Sequence, residues 1–262
     1  MKIFVFDFDD TLFPTSFYRN KYIPKNDKNL EEIKNNIEKF LEKTKLYGMV
    51  FIITNAEKKW VELCLDNFLN GVKYENVEIF STVDHGINYV KEQNLWKTEA
   101  FKITLSNYFK DNDSHQLISF GDNINDRDAS LYIKNTFSNV IVKNILFKSF
   151  PTIDTLITEQ KLVLHILDYI IMYSDHMDMK IAFYQTNSSL PINQKSSNEV
   201  SNEKDFLEYN KGESEGDLTS NLFSGINSVI SESELQSPIE LEKFSDSVFG
   251  DGDSDGDGDI LK

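Results

Sequence analysis

The stretch Phe4-Val5-Phe6-Asp7-Phe8-Asp9-Asp10-Thr11 decides how this chain is read. Lys2–Phe6 is a short apolar run that ends abruptly in carboxylates. Such a run reads as a buried strand with a polar carboxyl end. Asp7 and Asp9 are two positions apart, so in extended chain both point the same way. Carboxylates gathered at one strand edge repel each other unless a cation neutralises them.

The pattern repeats further along. Residues 49–53 form a continuous apolar run between Gly48 and Thr54, with Asn55 next. Residues 117–120 are followed by Gly121-Asp122, and Asp126 lies four residues beyond Asp122. Residues 77–80 and 140–147 read as two more strands. Between them lie helical signals. Leu30, Ile33, Ile37, Phe40 and Leu41 share one helical face behind an Asn29/Glu32 capping box. Trp60, Leu63, Cys64 and Phe68 share another, with Asn70-Gly71 as the stop. Residues 98–109 and 126–132 read as helices, and 155–173 as the final long one. Apolar strands alternating with helices predict an α/β fold, a doubly wound parallel sheet covered on both faces. Sites in such sheets lie at the carboxyl ends of the strands. Asp7, Asp9, Thr54, Asp122 and Asp126 all follow strand ends.

These residue types fit one chemistry. Hard carboxylate oxygens suit magnesium, which takes few carboxylates and keeps several waters. A carboxylate beside such an ion can attack phosphorus and form an aspartyl-phosphate. A second carboxylate can protonate the leaving alkoxide and then activate water. Thr54 can donate to a phosphoryl oxygen. A lysine is needed to offset the gathered charge, and Lys97 or Lys102 can supply it.

The three strand ends, taken together, resemble the haloacid dehalogenase-like (HAD) phosphatases. Phe4 to Thr11 is similar to their first motif, DxDxT after an apolar strand. Phe51-Ile-Ile-Thr54 resembles the second, and Ser119-Phe-Gly121-Asp122-Asn-Ile-Asn-Asp126 resembles the fourth, GDxxxD. The resemblance covers residues 1–184. It implies a HAD-like Rossmannoid core with Asp7 as nucleophile and magnesium ligand. It implies Asp9 as general acid/base, with its carbonyl as a second ligand. Asp122 would complete the metal ligands, and Asp126 would act behind them or through water. Thr54 would hold the phosphoryl group, with Thr11 and Asn55 on the substrate side. The third-motif lysine falls on Lys97, near a helix start, with Lys102 as the alternative. An Asp at position 9 implies a phosphatase or phosphomutase. Receiver domains share the acidic pair, Thr, Lys and magnesium, but leave DxDxT unexplained.

The space between motifs leaves room for a minimal cap only, so the site is expected to be open. That suits a phosphoprotein or a small phosphate ester and disfavours a phosphomutase. Residues 13–24, with Arg19 and Lys21, are expected to flank the site. Trp60 and Trp96 read as packing residues, Cys64 as a core residue, and Asp10 as a solvated neighbour. Asn123, like Asn55, adjoins the site. Gly121 reads as permitting a tight turn.

Composition divides the chain. Residues 185–262 hold 17 acids and five bases, a net of −12 within the chain's −16. They also hold seven of the 11 glycines and few aliphatics, so a disordered acidic tail is expected after a folded domain at 1–184. Its end, Asp253 to Ile260, matches the first part of an EF-hand loop, but the bidentate Glu is missing. An acidic chain without basic clusters is not expected to bind nucleic acid. One cysteine allows no internal disulfide, and four scattered histidines show no metal spacing. No apolar run reaches the roughly 18 residues of a membrane helix, and no secretory cleavage site is visible. A cytoplasmic, reducing compartment is expected. The competing class is a non-enzymatic protein of the same fold whose tail engages a basic partner.

Overall fold

The computed structural model describes residues 1–19, 21–23 and 27–183, with backbone alone at 182–183 and 239–243. The chain divides into two compact units, Met1–Ile181 with Leu241–Lys262, and Ala182–Glu240. The second unit is described only as backbone at its two ends. The acidic tail expected at 185–262, with its Asp/Gly-rich end, lies outside the described residues apart from one strand.

Six strands, β1 (Lys2–Phe6), β2 (Met49–Thr54), β3 (Val77–Ser81), β4 (His115–Gly121), β5 (Val140–Leu146) and β6 (Met177–Phe183), run in the order β3-β2-β1-β4-β5-β6. All five pairings among them are parallel. A seventh strand, β7 (Ile239–Lys243), follows β6 in that order. Parallel neighbours need crossovers, and helices supply them. They are α1 (Thr15–Tyr18), α2 (Lys28–Lys45), α3 (Lys58–Leu63), α4 (Ile87–Val90), α5 (Trp96–Leu105), α6 (Ile124–Thr136) and α7 (Ile153–Met172). The α/β reading therefore holds. Strand β6 is an addition, because the sequence reading ended its elements at the long helix. Its Met177-Asp-Met-Lys-Ile alternates polar and apolar residues and lacks the continuous apolar run of the inner strands.

Side-chain alternation sorts the core. Ile3, Val5, Phe51, Ile53, Leu117 and Val142 face one way, against Ala100, Phe101 and Leu105 of α5 and Ala129 and Ile133 of α6. On the other face Phe6 stacks on Phe120 at 4.6 Å, and Phe40 of α2 packs against both. Burying an aromatic of this size contributes about 2 kcal/mol relative to exposure, so these faces fix which way each strand is turned.

Helix ends are set locally. Asp27, not Asn29, caps α2: its carboxylate accepts the amide of Asn29 at 2.8 Å. A residue two positions upstream of the expected cap reaches the free amide, so the helix starts two residues earlier than the Asn29 cap implies. Thr152 caps α7. Its far end is capped from the sheet, since the buried Lys143 of β5 donates to the carbonyls of Ile170 at 2.7 Å and Ile171 at 3.3 Å. Asn70 and Gly71, read as a stop signal, both take left-handed backbone, with φ of 51° and 76°. Helix α3 runs first into a single π turn at Cys64–Phe68, and Cys64 is wholly buried as expected. No helix among the described residues is long and apolar enough to cross a membrane.

Candidate active site

The chain winds outward from β1 to β2 and β3, then returns to place β4 on the other side of β1. The point between β1 and β4 is where the winding reverses, and crevices of parallel sheets open there. Asp7 follows β1 and Asp122 follows β4. The amide of Asp7 donates to the carbonyl of Phe120 at 2.8 Å, locking the two strand ends in register.

Lys97, on the first turn of α5, is 2% exposed and reaches into this crevice. Its ammonium donates to Asp7 Oδ1 at 2.5 Å, to Asp126 Oδ1 at 2.7 Å and to the Ile53 carbonyl at 2.8 Å. One cation thus links the ends of β1 and β2 with the start of α6. Burial disfavours its charge, but Asp126 and Asp7 outweigh burial and hold the ammonium well above the ordinary lysine value. Lys102 lies on the exposed side of α5 and pairs loosely with Glu99 at 3.7 Å. The structure thus places Lys97, and not Lys102, among the carboxylates.

Asp7 accepts a second bond on Oδ1, from the amide of Phe8 at 2.8 Å. Its Oδ2 has no hydrogen-bond donor among the described residues. Burial first, then Asp126, Asp122 and Asp9, push its carboxyl well up, while Lys97 pulls it down. Asp122 is pushed up to about 7, by burial and then by Asp126 and Asp10. Asp126 engages both oxygens, Oδ1 on Lys97 and Oδ2 on the amide of Asn123 at 3.3 Å. Asn123 itself caps α6 and accepts the amide of Asn125.

Gly121 is needed for space, which corrects the tight-turn reading. Its φ is not in the left-handed range. A methyl group there would sit 2.5 Å from Cβ and Cγ of Asp126. The absent side chain lets Asp126 lie against the strand end and reach Lys97.

Asp9 accepts three bonds. Oδ1 takes Thr15 Oγ1 at 2.5 Å and Trp60 Nε1 at 3.1 Å, and Oδ2 takes Thr54 Oγ1 at 3.3 Å. Thr54 is wholly buried, and its oxygen accepts the amide of Ala56 at 2.9 Å. Trp60 was read as a packing residue. It does pack, against Phe13 and Phe68, but its indole N–H also serves Asp9. The sequence carries a weak signal for this, since Trp60 lies in the first turn of the helix that follows the Thr54 strand end.

Asp10 is another correction. It is 5% exposed, not solvated, and has φ of 57°. Asp tolerates left-handed backbone better than most residues. Its carboxylate accepts the amide of Ser16 at 2.8 Å and also the Ser16 hydroxyl. These bonds close the turn that carries the chain from Asp9 into α1. Thr11 is buried, its hydroxyl has no partner among the described residues, and its carbonyl accepts Gln160 Nε2 at 3.0 Å. Asn55 is half-buried and accepts Thr82 Oγ1 at 3.1 Å. Of the flanking residues, Lys21 lies over the Phe17 ring at 4.0 Å.

Asp7, Asp122 and Asp126 each offer a carboxylate oxygen, and these atoms lie within 4.8 Å of one another. Ligands of an octahedral magnesium sit about 2.1 Å from it, hence about 3–4 Å apart. The all-oxygen donor set fits such an ion, and so do two carboxyls whose charged forms are disfavoured by burial and then by neighbouring carboxylates. Asp7 Oδ2 and Asp122 are the freer donors, with Asp126 behind them. Comparison with protein-family models, curated proteins and solved structures found no match to this chain.

Proposed function

We propose that this protein is a magnesium-dependent phosphomonoester hydrolase of HAD-like type, acting through an aspartyl-phosphate. The observation that carries the reading is the state of Asp7. Its Oδ1 is fixed by Lys97 and the Phe8 amide, while Oδ2 takes no donor among the described residues. That is the arrangement of a nucleophile aimed by one oxygen and reactive through the other.

Asp7 and Asp122, with the Asp9 carbonyl, would hold magnesium, which when bound neutralises phosphate charge and polarises the phosphoryl group. The protein's own groups perform the rest. Asp7 Oδ2 attacks phosphorus, and the bond from phosphorus to the ester oxygen breaks. The electron pair of that bond stays on the ester oxygen, which takes a proton from Asp9 and leaves as an alcohol. A water then attacks phosphorus, and Asp9 accepts its proton. The bond from phosphorus to Asp7 breaks, releasing inorganic phosphate and restoring both carboxyls. Thr54 donates to a phosphoryl oxygen, and Lys97 holds Asp7 and Asp126 in place throughout. Between β1 and β2 the described residues are taken up largely by α1 and α2, so the reading is an open site. A phosphoprotein or a small phosphate ester fits it.

The test is hydrolysis of an aryl phosphate by the full chain, with magnesium and with a chelator. Magnesium-dependent turnover that vanishes in Asp7→Asn is expected. A folded chain that neither binds magnesium nor releases phosphate would exclude the hydrolase.

A further inference from the structure

We infer that Trp60 and Thr15 are positioning residues for the general acid/base, anchoring one oxygen of Asp9 so that the other works. The inference rests on the hydrolase reading above and concerns two side chains which that reading does not use.

The two donors come from different elements and meet on one atom. Thr15, on α1, gives its hydroxyl to Asp9 Oδ1 at 2.5 Å, and Trp60, on α3, gives its indole N–H to the same oxygen at 3.1 Å. The indole cannot swing freely. Phe13 packs edge-on against it at 6.1 Å and 86°, and Phe68 at 6.2 Å and 61°. A buried indole N–H commonly ends on any convenient acceptor. Here it ends on the carboxylate proposed to carry the proton.

The other oxygen faces Thr54, at 3.3 Å. A hydroxyl has one hydrogen to donate. When Thr54 turns it toward a phosphoryl oxygen, Asp9 Oδ2 loses its donor, while Oδ1 keeps both of its own. The carboxyl therefore cannot rotate away, and Oδ2 stays beside the phosphoryl group. From there it delivers its proton to the ester oxygen as the bond to phosphorus breaks, and later takes one from water. Misplacement of a reacting group by about 1 Å can cost 100-fold in rate.

The test uses the full chain with Trp60→Phe, which keeps the ring and removes the N–H, and Thr15→Val, which keeps the shape and removes the hydroxyl. Two magnesium-supported substrates are compared. Glycerol 2-phosphate has a leaving group that needs a proton, and p-nitrophenyl phosphate has one that departs without it. Each variant is expected to lower kcat/KM on the glycerol ester by about tenfold or more, because that ratio reports only the steps up to departure of the alcohol. On the nitrophenyl ester the loss of kcat/KM stays below about twofold, and slower attack by water there lowers kcat and KM together. A readout independent of turnover is the indole N–H resonance of Trp60, which moves in Asp9→Asn while that of Trp96 does not. Equal losses of kcat/KM on both esters, no loss on either, or an unmoved Trp60 resonance would each overturn the anchor and leave the hydrolase standing. A wild-type chain that hydrolyses neither ester removes the hydrolase reading and the anchor with it.

Discussion

The Lys97 ammonium lies 2.5 Å from Asp7 Oδ1, across 90 positions of chain, with both side chains nearly closed to solvent. Asp126 completes the group at 2.7 Å. Removing one partner from a buried ion pair leaves an uncompensated charge and costs about 3 kcal/mol or more. Lys97→Met is therefore expected to lose about that much stability, together with turnover. Lys102→Met, on the exposed face, should stay within about 0.5 kcal/mol and keep turnover. Denaturant unfolding of the two variants side by side decides which lysine serves the site.

Gly121→Ala should be damaging although the glycine has ordinary backbone. The added methyl would overlap Asp126 at 2.5 Å, and overpacking of this kind costs about 1–3 kcal/mol. Asp126 moves off Lys97 in consequence, so kcat should fall at least tenfold. A Gly121→Ala protein as stable and active as the parent would mean that Asp126 does not need its present position.

Without magnesium, the crowded carboxyls set a pH dependence. Asp7 is raised, and Asp122 is raised to about 7, both chiefly by burial. The folded state then binds more protons than the unfolded one between the ordinary carboxylate range and about pH 7. Stability is fully present below that window and is lost as pH rises through it. In chelator, Tm should fall from pH 5 to pH 8, and Asp122→Asn should fall less. Saturating magnesium should restore the wild type, by about 2.7 kcal/mol at 100 times Kd, and should not restore Asp122→Asn. Retention of the magnesium shift in that variant would remove Asp122 from the ligand set.

Glu159 of α7 predicts a second pH effect, away from the carboxylate cluster. It is wholly buried; Oε1 accepts the amide of Lys148 at 2.9 Å and Oε2 has no partner among the described residues. Burial pushes it up to about 8, Lys148 opposes this, and Asp122 adds to it. Here too the folded state holds the extra proton, so its contribution is lost as pH climbs toward about 8. Glu159→Gln keeps the acceptor and has no charge to bury. It should be more stable than the parent by about 2–4 kcal/mol at pH 9, with the difference vanishing near pH 4. Parallel Tm profiles for the two proteins would contradict the burial account.

Much of the fold was legible because the signals were local. Five apolar runs became β1 to β5, and the alternating helices followed from the need to connect parallel strands. Strand β6 was missed because its polar alternation resembles no inner strand. The α2 cap was misplaced because Asp27 and Asn29 are both good caps, and only backbone geometry chooses between them. Asp10 was misread because an acid in a turn looks solvated until Ser16 is seen to meet it. Trp60 looked like ordinary core, since an indole in an apolar helix face gives no sign of where its N–H points.

The sequence by itself determined which residue types end each strand, because strand ends are marked by the change from apolar to polar side chains. It placed Asp7, Thr54 and Asp122 at three such ends and supplied two lysines for one role. Only the tertiary structure decided between Lys97 and Lys102, because that choice depends on which turn of α5 faces the crevice between β1 and β4. It alone showed that Gly121 yields space to Asp126 and that Trp60 reaches Asp9. Those facts depend on distances between elements far apart in the chain, which packing sets and local pattern does not record.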